Sequence, residues 1–271
     1  MTAPTLDRNL ATAALPVRAV RFPVMGTLAH VLVVDGSSAA LDAAVGRLRH
    51  LGTCWDVADP DSEIAAINNA KGQPVAVSVD TLLLARLAST AGRRSDGRYT
   101  AVSGGAVGID LVEGTVALTA GARLEPGDLV RGLAADLTAA AVLDAGAAGV
   151  LVNVGGNLRA AGEPPIARGW TLDVEDPFSD DPVARLHLIN GAVATAARHR
   201  RSWGAPRTAY RAGDGVASVT AIARLAWEAE MAARTALSAG GDALEALDEW
   251  PADGLAVWDD RSVSTTLTWP G

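Results

Sequence analysis

Apolar residues recur with two different periods along the chain, and each change of period marks an element. AVRFPVMGTLAHVLVVD (19–35) predicts two β runs around Pro23 and Gly26, the second nearly continuous in apolar residues as a central strand would be. In SSAALDAAVGRLRHLGTCWD (37–56), Leu41, Val45, Leu48 and Leu51 recur at helical spacing. DPDSEIAAINNAKG (59–72) runs from Pro60 to Gly72 and predicts a short helix capped by Asp59 or Asp61. VDTLLLARLASTAGRRSDG (79–97) predicts a further helix stopped by Gly97, and residues 98–125 are glycine-rich and partly β.

LEPGDLVRGLAAD (124–136) turns at Pro126 and Gly127 and leads into a helix over 129–145. AAGVLVNVGGNLRAAG (147–162) reads as strand, glycine turn, strand; WTLDVEDP (170–177) and LHLINGAVATAA (186–197) as further strands. Residues 215–247 give a strand, a long helix and a second helix after Gly240 and Gly241. LAVWDDRSVSTT (255–266) closes the chain as a β-hairpin around Asp259 and Asp260. The class is α+β with mixed strand order, its core built by strands near 28–34, 150–154, 171–175, 191–195 and 217–223. Residues 1–18 are expected as a flexible tail and 19–271 as the folded domain.

At 271 residues and 49% hydrophobic content the chain is long enough and apolar enough for a sizeable core, in one large domain or two intimate ones. A formal net charge of −8 argues against nonspecific binding to nucleic acid or to an anionic membrane, though a local basic site can still hold a phosphorylated ligand. The one cysteine, Cys54, excludes an intrachain disulfide. With no secretory signal and no apolar run of roughly 18 residues, a cytoplasmic location is expected.

Taken singly, the chemical motifs stay open. In LVNVGGNL (151–158), Gly155 and Gly156 either bring bare backbone to a ligand, with Asn157 beside it, or make a tight hairpin. In the 124–136 stretch, Arg131 at a helix start suits a phosphate, or is a solvated side chain on a capped surface helix. Glu230 and Arg234 stand four apart on a helix, either as an ordinary ion pair or with Glu230 as a metal carboxylate. Arg198, His199, Arg200 and Arg201 form a basic cluster that binds phosphate or is a solvated loop. No CxxC pair, HExxH or Ser-His-Asp constellation supports a zinc or hydrolase reading.

The order of the motifs is more telling than any one of them. VMGT (24–27), DSEIAAIN (61–68), LEPGDLVRGLAAD (124–136), LVNVGGN (151–157), AVAT (192–195), SVTAIA (218–223) and AEMAARTALSAG (229–240) follow one another in a series that resembles the ApbE-type flavin transferases, the FAD:protein FMN transferases. The resemblance implies an ApbE-like, T-fold-like α+β domain. It implies FAD in a cleft, a magnesium ion at the pyrophosphate, and transfer of FMN to a threonine of a target protein with loss of AMP.

Carried over on the matching positions, the resemblance puts Met25 at the flavin and aligns Ser62, Glu63 and Asn68 with the family's S-E…N segment. It puts Glu125 where an aspartate contacts FAD, Asp128 where a glycine lies near the metal, and Arg131 where lysine is usual. Gly127, Gly132, Asp136, Gly155 and Gly156 match; Asn157 stands where aspartate is usual, and Thr195 matches the A-T of an A-T-S-G segment that continues here as Ala196 and Ala197. The metal-ligand pair, an Asp and a Thr four apart, becomes Glu230 and Arg234. The resemblance thereby implies Asp128 and Glu230 as the candidate metal carboxylates, while an arginine has no lone pair to donate. The family's H-H-I-x-D-P segment is replaced by SWGAPRTAYRAGDG (202–215), and its aromatic before the S-E glutamate falls on Ala58. Two functions follow from this pattern. One is magnesium-dependent FMN transfer; the other is a repurposed member that binds a flavin nucleotide or a partner protein without transfer, with the charge of Arg234 in place of the metal.

Overall fold

The structure is a computed structural model and describes residues 15–198 and 215–270. His199, Arg200, Arg201 and most of the segment that replaces H-H-I-x-D-P lie outside the described residues, as does most of the expected tail.

The first half of the chain runs β1 (Val17–Val24), β2 (Thr27–Val34), α1 (Ser38–Cys54), α2 (Glu63–Asn69), β3 (Val75–Ala76), α3 (Val79–Arg94), β4 (Val102–Ser103), β5 (Val107–Asp110), β6 (Thr115–Leu118) and β7 (Arg123–Leu124). The second half runs α4 (Leu129–Asp144), β8 (Gly149–Val154), β9 (Asn157–Gly162), β10 (Trp170–Glu175), β11 (Pro182–Leu188), β12 (Gly191–Ala197), β13 (Val216–Ala223), α5 (Ala226–Ala239), β14 (Ala252–Trp258) and β15 (Val263–Thr265). One eight-stranded sheet, in the order β1-β2-β8-β9-β12-β13-β14-β15, organises the molecule, and every neighbouring pair in it is antiparallel. The expected α+β class therefore holds, with the strands of the large sheet all antiparallel.

Period-2 alternation divides the sheet's side chains between two cores. Val31, Val33, Val150, Val152, Val154, Ala192 and Ala194 point to the side of α1, α4 and α5. Leu32, Val34, Leu151, Leu158 and Val193 point the other way, against Trp170, Leu172, Val174 and Leu186 of the β10–β11 hairpin. The segment near 171–175 thus serves the second core from a separate two-stranded sheet. Central β8 is buried at all six positions, which is why Val150, Leu151, Val152 and Val154 show no polar alternation; its one polar side chain, Asn153, accepts from Gly156 N at 2.9 Å.

Local chemistry sets the helix ends. Ser37 and Ser78 cap α1 and α3 through their hydroxyls. Helix α2 is capped by Ser62, whose Oγ accepts from Ala65 N at 3.0 Å. The expected Asp59 and Asp61 sit three residues and one residue too early, and Asp59 Oδ1 instead accepts from Asp61 N at 3.0 Å. The expected second helix after Gly240 is two short 3₁₀ turns, Gly240–Asp242 and Glu245–Leu247. Two glycines at its start and Pro251 shortly after leave too few residues to offset helix nucleation.

Helix α5 is buried from Ala226 through Leu237, including Glu228, Glu230 and Arg234. It meets α4 closely at Gly132, where an added Cβ would stand 2.8 Å from Trp227 Cα and 2.9 Å from Ala226 O. Gly132 therefore serves helix packing.

Candidate functional site

Two turns frame the site. Met25 and Gly26 join β1 to β2 with φ of 51° and 67°, so a methionine holds the left-handed region that most residues avoid. In the second turn Pro126 O accepts from the Tyr99 hydroxyl at 2.8 Å. Gly127 has φ of 56°, and Asp128 occupies the N-cap of α4 without capping it. Between them lies a cavity of about 690 Å³. Val24 to Gly26 form one wall, Pro126 to Asp128 with Val130 and Arg131 another, and Arg49, Gly52, Thr53, Trp55 to Val57 and Asp59 a third.

The side chain of Asp128 turns away from its cap into a buried ion cluster. Arg131 pairs with its Oδ1, Arg234 pairs with its Oδ2, and Arg234 also pairs with Glu230 Oε1. Side-chain exposure is 8% for each arginine, 4% for Asp128 and 3% for Glu230, so the four charges lie out of water and compensate one another. Two carboxylates and two guanidiniums sum to zero. Tyr99 lies close enough to feel Arg234; burial raises its hydroxyl's pKa and the guanidinium draws it back part of the way. Arg131 is buried rather than solvated, and the Glu230–Arg234 pair is shared with a third residue.

These residues do not fit a magnesium ion. The two candidate carboxylates, Asp128 and Glu230, both carry the Arg234 guanidinium, a donor with no lone pair for a cation. Among the described residues no group of three or more His, Cys, Asp or Glu side chains could hold a metal.

The remaining candidate residues are placed away from the cavity. Glu63 accepts from Ser78 N at 2.9 Å and from the hydroxyls of Ser78 and Thr81, so it ties α2 to the start of α3. Asn68 exchanges two hydrogen bonds with the backbone of Leu124, at 2.7 and 3.0 Å, as a strand neighbour would. The Glu125 side chain is exposed beside Arg123 at 3.4 Å. Asp136 caps α5 from a distance: its carboxylate accepts from Ala226 N at 2.8 Å and Trp227 N at 3.1 Å, with Arg159 at 3.5 Å. Burial pushes this carboxyl up to about 7, against the pull of those two N–H groups and Arg159.

Gly155 and Gly156, with φ of 60° and 101°, make the two-residue hairpin turn between β8 and β9. A Cβ on Gly155 would stand 2.7 Å from Thr27 Oγ1, so this turn supports the strand that follows Met25. Asn157 is buried on the helix side of the sheet, donating to Val154 O at 3.3 Å. Thr195 bonds Thr220 across β12 and β13 at 2.8 Å and shares the opposite face with Val193. The expected convergence of Met25, the 127–131 turn, Gly155 to Asn157 and Thr195 is thus met by the first two; the others do not line the cavity. Two contributors had no sequence signal beyond their residue type: Tyr99, one of two tyrosines in the chain, and the Trp55–Asp59 wall beyond the end of α1.

A large antiparallel sheet with helices packed on one face, and a cavity between a hairpin turn and a helix start, make up an α+β architecture shared with the ApbE proteins. The family model of ApbE matches residues 25–113 and 106–257, and the chain belongs to the ApbE family. It is similar to the ApbE protein of Thermotoga maritima, with a TM-score of 0.81 and 22% identity over 93% of this chain and 98% of that one. It is similar also to the Pseudomonas stutzeri flavinyl transferase ApbE, with a TM-score of 0.78 and 17% identity over 95% and 98% of the two chains. The flavin transferase ApbE of Vibrio cholerae follows, with a TM-score of 0.77 and 16% identity over 93% and 97%. No curated protein matches the chain in sequence. No helix among the described residues is long and apolar enough to cross a membrane.

Proposed function

We propose that this chain binds a flavin in the cavity between the Met25 turn and the 126–131 loop, and that it does not carry FMN from FAD to a threonine with magnesium. The flavin is inferred from family membership and from the names of the solved relatives, two of which are flavin transferases. The cavity, at about 690 Å³, is of the size that small-molecule sites take. Met25 and Val24 offer apolar surface to a ring, and Gly127 leaves the backbone of the loop uncovered.

The absence of transfer rests on one observation, the Arg234 guanidinium between Asp128 and Glu230. In-line displacement at a pyrophosphate needs charge neutralisation at the leaving oxygens and a positioned nucleophile. Here both carboxylates are engaged by guanidinium, and Arg131 is held on Asp128. The purified protein is expected to retain a flavin absorbance band through gel filtration, and to release no AMP when given FAD, magnesium and a threonine-bearing target peptide. Magnesium-dependent AMP release that depends on the peptide would overturn the second half of the proposal. Failure of any flavin to co-elute or to be quenched on titration would overturn the first.

A further inference from the structure

The start of α4 has the parts of an anion site, a helix N-terminus and an arginine three residues in, yet the chain supplies the anion itself. Asp128 is 4% exposed, with Arg131 on one carboxylate oxygen and Arg234 on the other. We infer that this self-neutralised cluster excludes a diphosphate, so that the cavity selects a flavin without a diphosphate over FAD. The ligand's being a flavin rests on the function proposed above; the exclusion of the diphosphate rests on the cluster alone.

Charge decides the matter. The four buried groups sum to zero, and a diphosphate dianion beside them would leave a net charge of minus two out of water. Arg131 is already held on the Asp128 carboxylate, so an incoming diphosphate competes with that carboxylate for it and meets its charge at close range. The cavity wall adds no compensating charge. Outside the cluster, Asp56 and Asp59 line it against Arg49, two acids to one base. The ribityl chain of an uncharged flavin meets none of these costs, because hydroxyls can donate to Asp56 and Asp59 without carrying charge.

The test uses the full chain in metal-free buffer with EDTA. Inorganic pyrophosphate is titrated into wild type, Asp128→Asn and Asp128→Gly, with affinity read from thermal shift and calorimetry. Riboflavin and FAD are titrated into wild type, with flavin fluorescence as the readout. Wild type should show no measurable pyrophosphate binding, while Asp128→Asn, which keeps the side chain's shape but not its charge, should gain affinity by at least about tenfold. Riboflavin should bind wild type at least as tightly as FAD. Pyrophosphate binding to wild type as tight as to Asp128→Asn overturns the inference, as does FAD binding about tenfold or more tighter than riboflavin. If neither flavin binds but the pyrophosphate contrast appears, the flavin assignment falls and the excluded diphosphate stands. If both flavins bind and the contrast is missing, the reverse holds. Should both variants fail to fold, wild type decides alone: measurable pyrophosphate binding overturns the inference and its absence supports it.

Discussion

Replacing Arg234 by threonine removes the group that stands between two buried carboxylates. In wild type the guanidinium pairs with Asp128 Oδ2 and Glu230 Oε1, at 4% and 3% exposure. Deleting one partner of such a buried pair costs on the order of 3–5 kcal/mol, because the remaining charge is left uncompensated. Asp128 keeps Arg131, so most of the loss should fall on Glu230. The variant would also leave two carboxylates and one hydroxyl around the vacated space, an oxygen set that suits magnesium with waters completing six ligands. If the ion then binds, magnesium at about a hundred times its Kd returns about 2.7 kcal/mol. Urea unfolding of Arg234→Thr with and without magnesium reads both effects. The expected outcome is a large loss of stability in EDTA and partial recovery with magnesium, while wild type is indifferent to the ion. Wild type gaining as much from magnesium as the variant would show that Arg234 does not occupy the cation's position.

Three further outcomes follow from single residues. The folded Asp136 carboxyl, raised from 3.8 to about 7, holds a proton that the unfolded chain has already shed in that window. Its contribution to stability is therefore full below pH about 4 and is lost as pH rises through 7; urea midpoints across this range should fall more in wild type than in Asp136→Asn. Met25→Gly should relieve a left-handed methionine, φ 51°, and stabilise the fold by about 1 kcal/mol in thermal unfolding, while flavin affinity drops with the lost apolar wall. Gly132→Ala would push a methyl to 2.8 Å from Trp227 Cα and should destabilise by roughly 1–3 kcal/mol in the same assay, because the opposing atom is backbone and cannot rotate away.

The elements were largely legible because each depends on near neighbours in the chain. Helical spacing in 37–56 gave α1, and AAGVLVNVGGNLRAAG (147–162), read as strand, glycine turn, strand, is the β8–β9 hairpin. Ser62 rather than Asp59 or Asp61 caps α2, since all three are competent caps and only the local backbone chooses among them. After Gly240, alanine and leucine favour a helix, whereas the glycine pair and Pro251 leave two 3₁₀ turns.

What the sequence by itself determined is the class, the family and the identity of the charged residues at the site, because periodicity and motif order are properties of the chain read in line. The pairing of those charges belongs to the tertiary structure. Glu63, Asn68 and Asp136 carry polar side chains that sequence order aligns with a ligand, yet each meets backbone or hydroxyl groups of another segment, 15 to 91 residues away. Arg234 lies more than a hundred residues from Asp128 in sequence, and only the packing of α5 on α4 at Gly132 brings its guanidinium between Asp128 and Glu230. A charge in a buried place is defined by its partners, and partners so far apart in the chain are chosen by the fold.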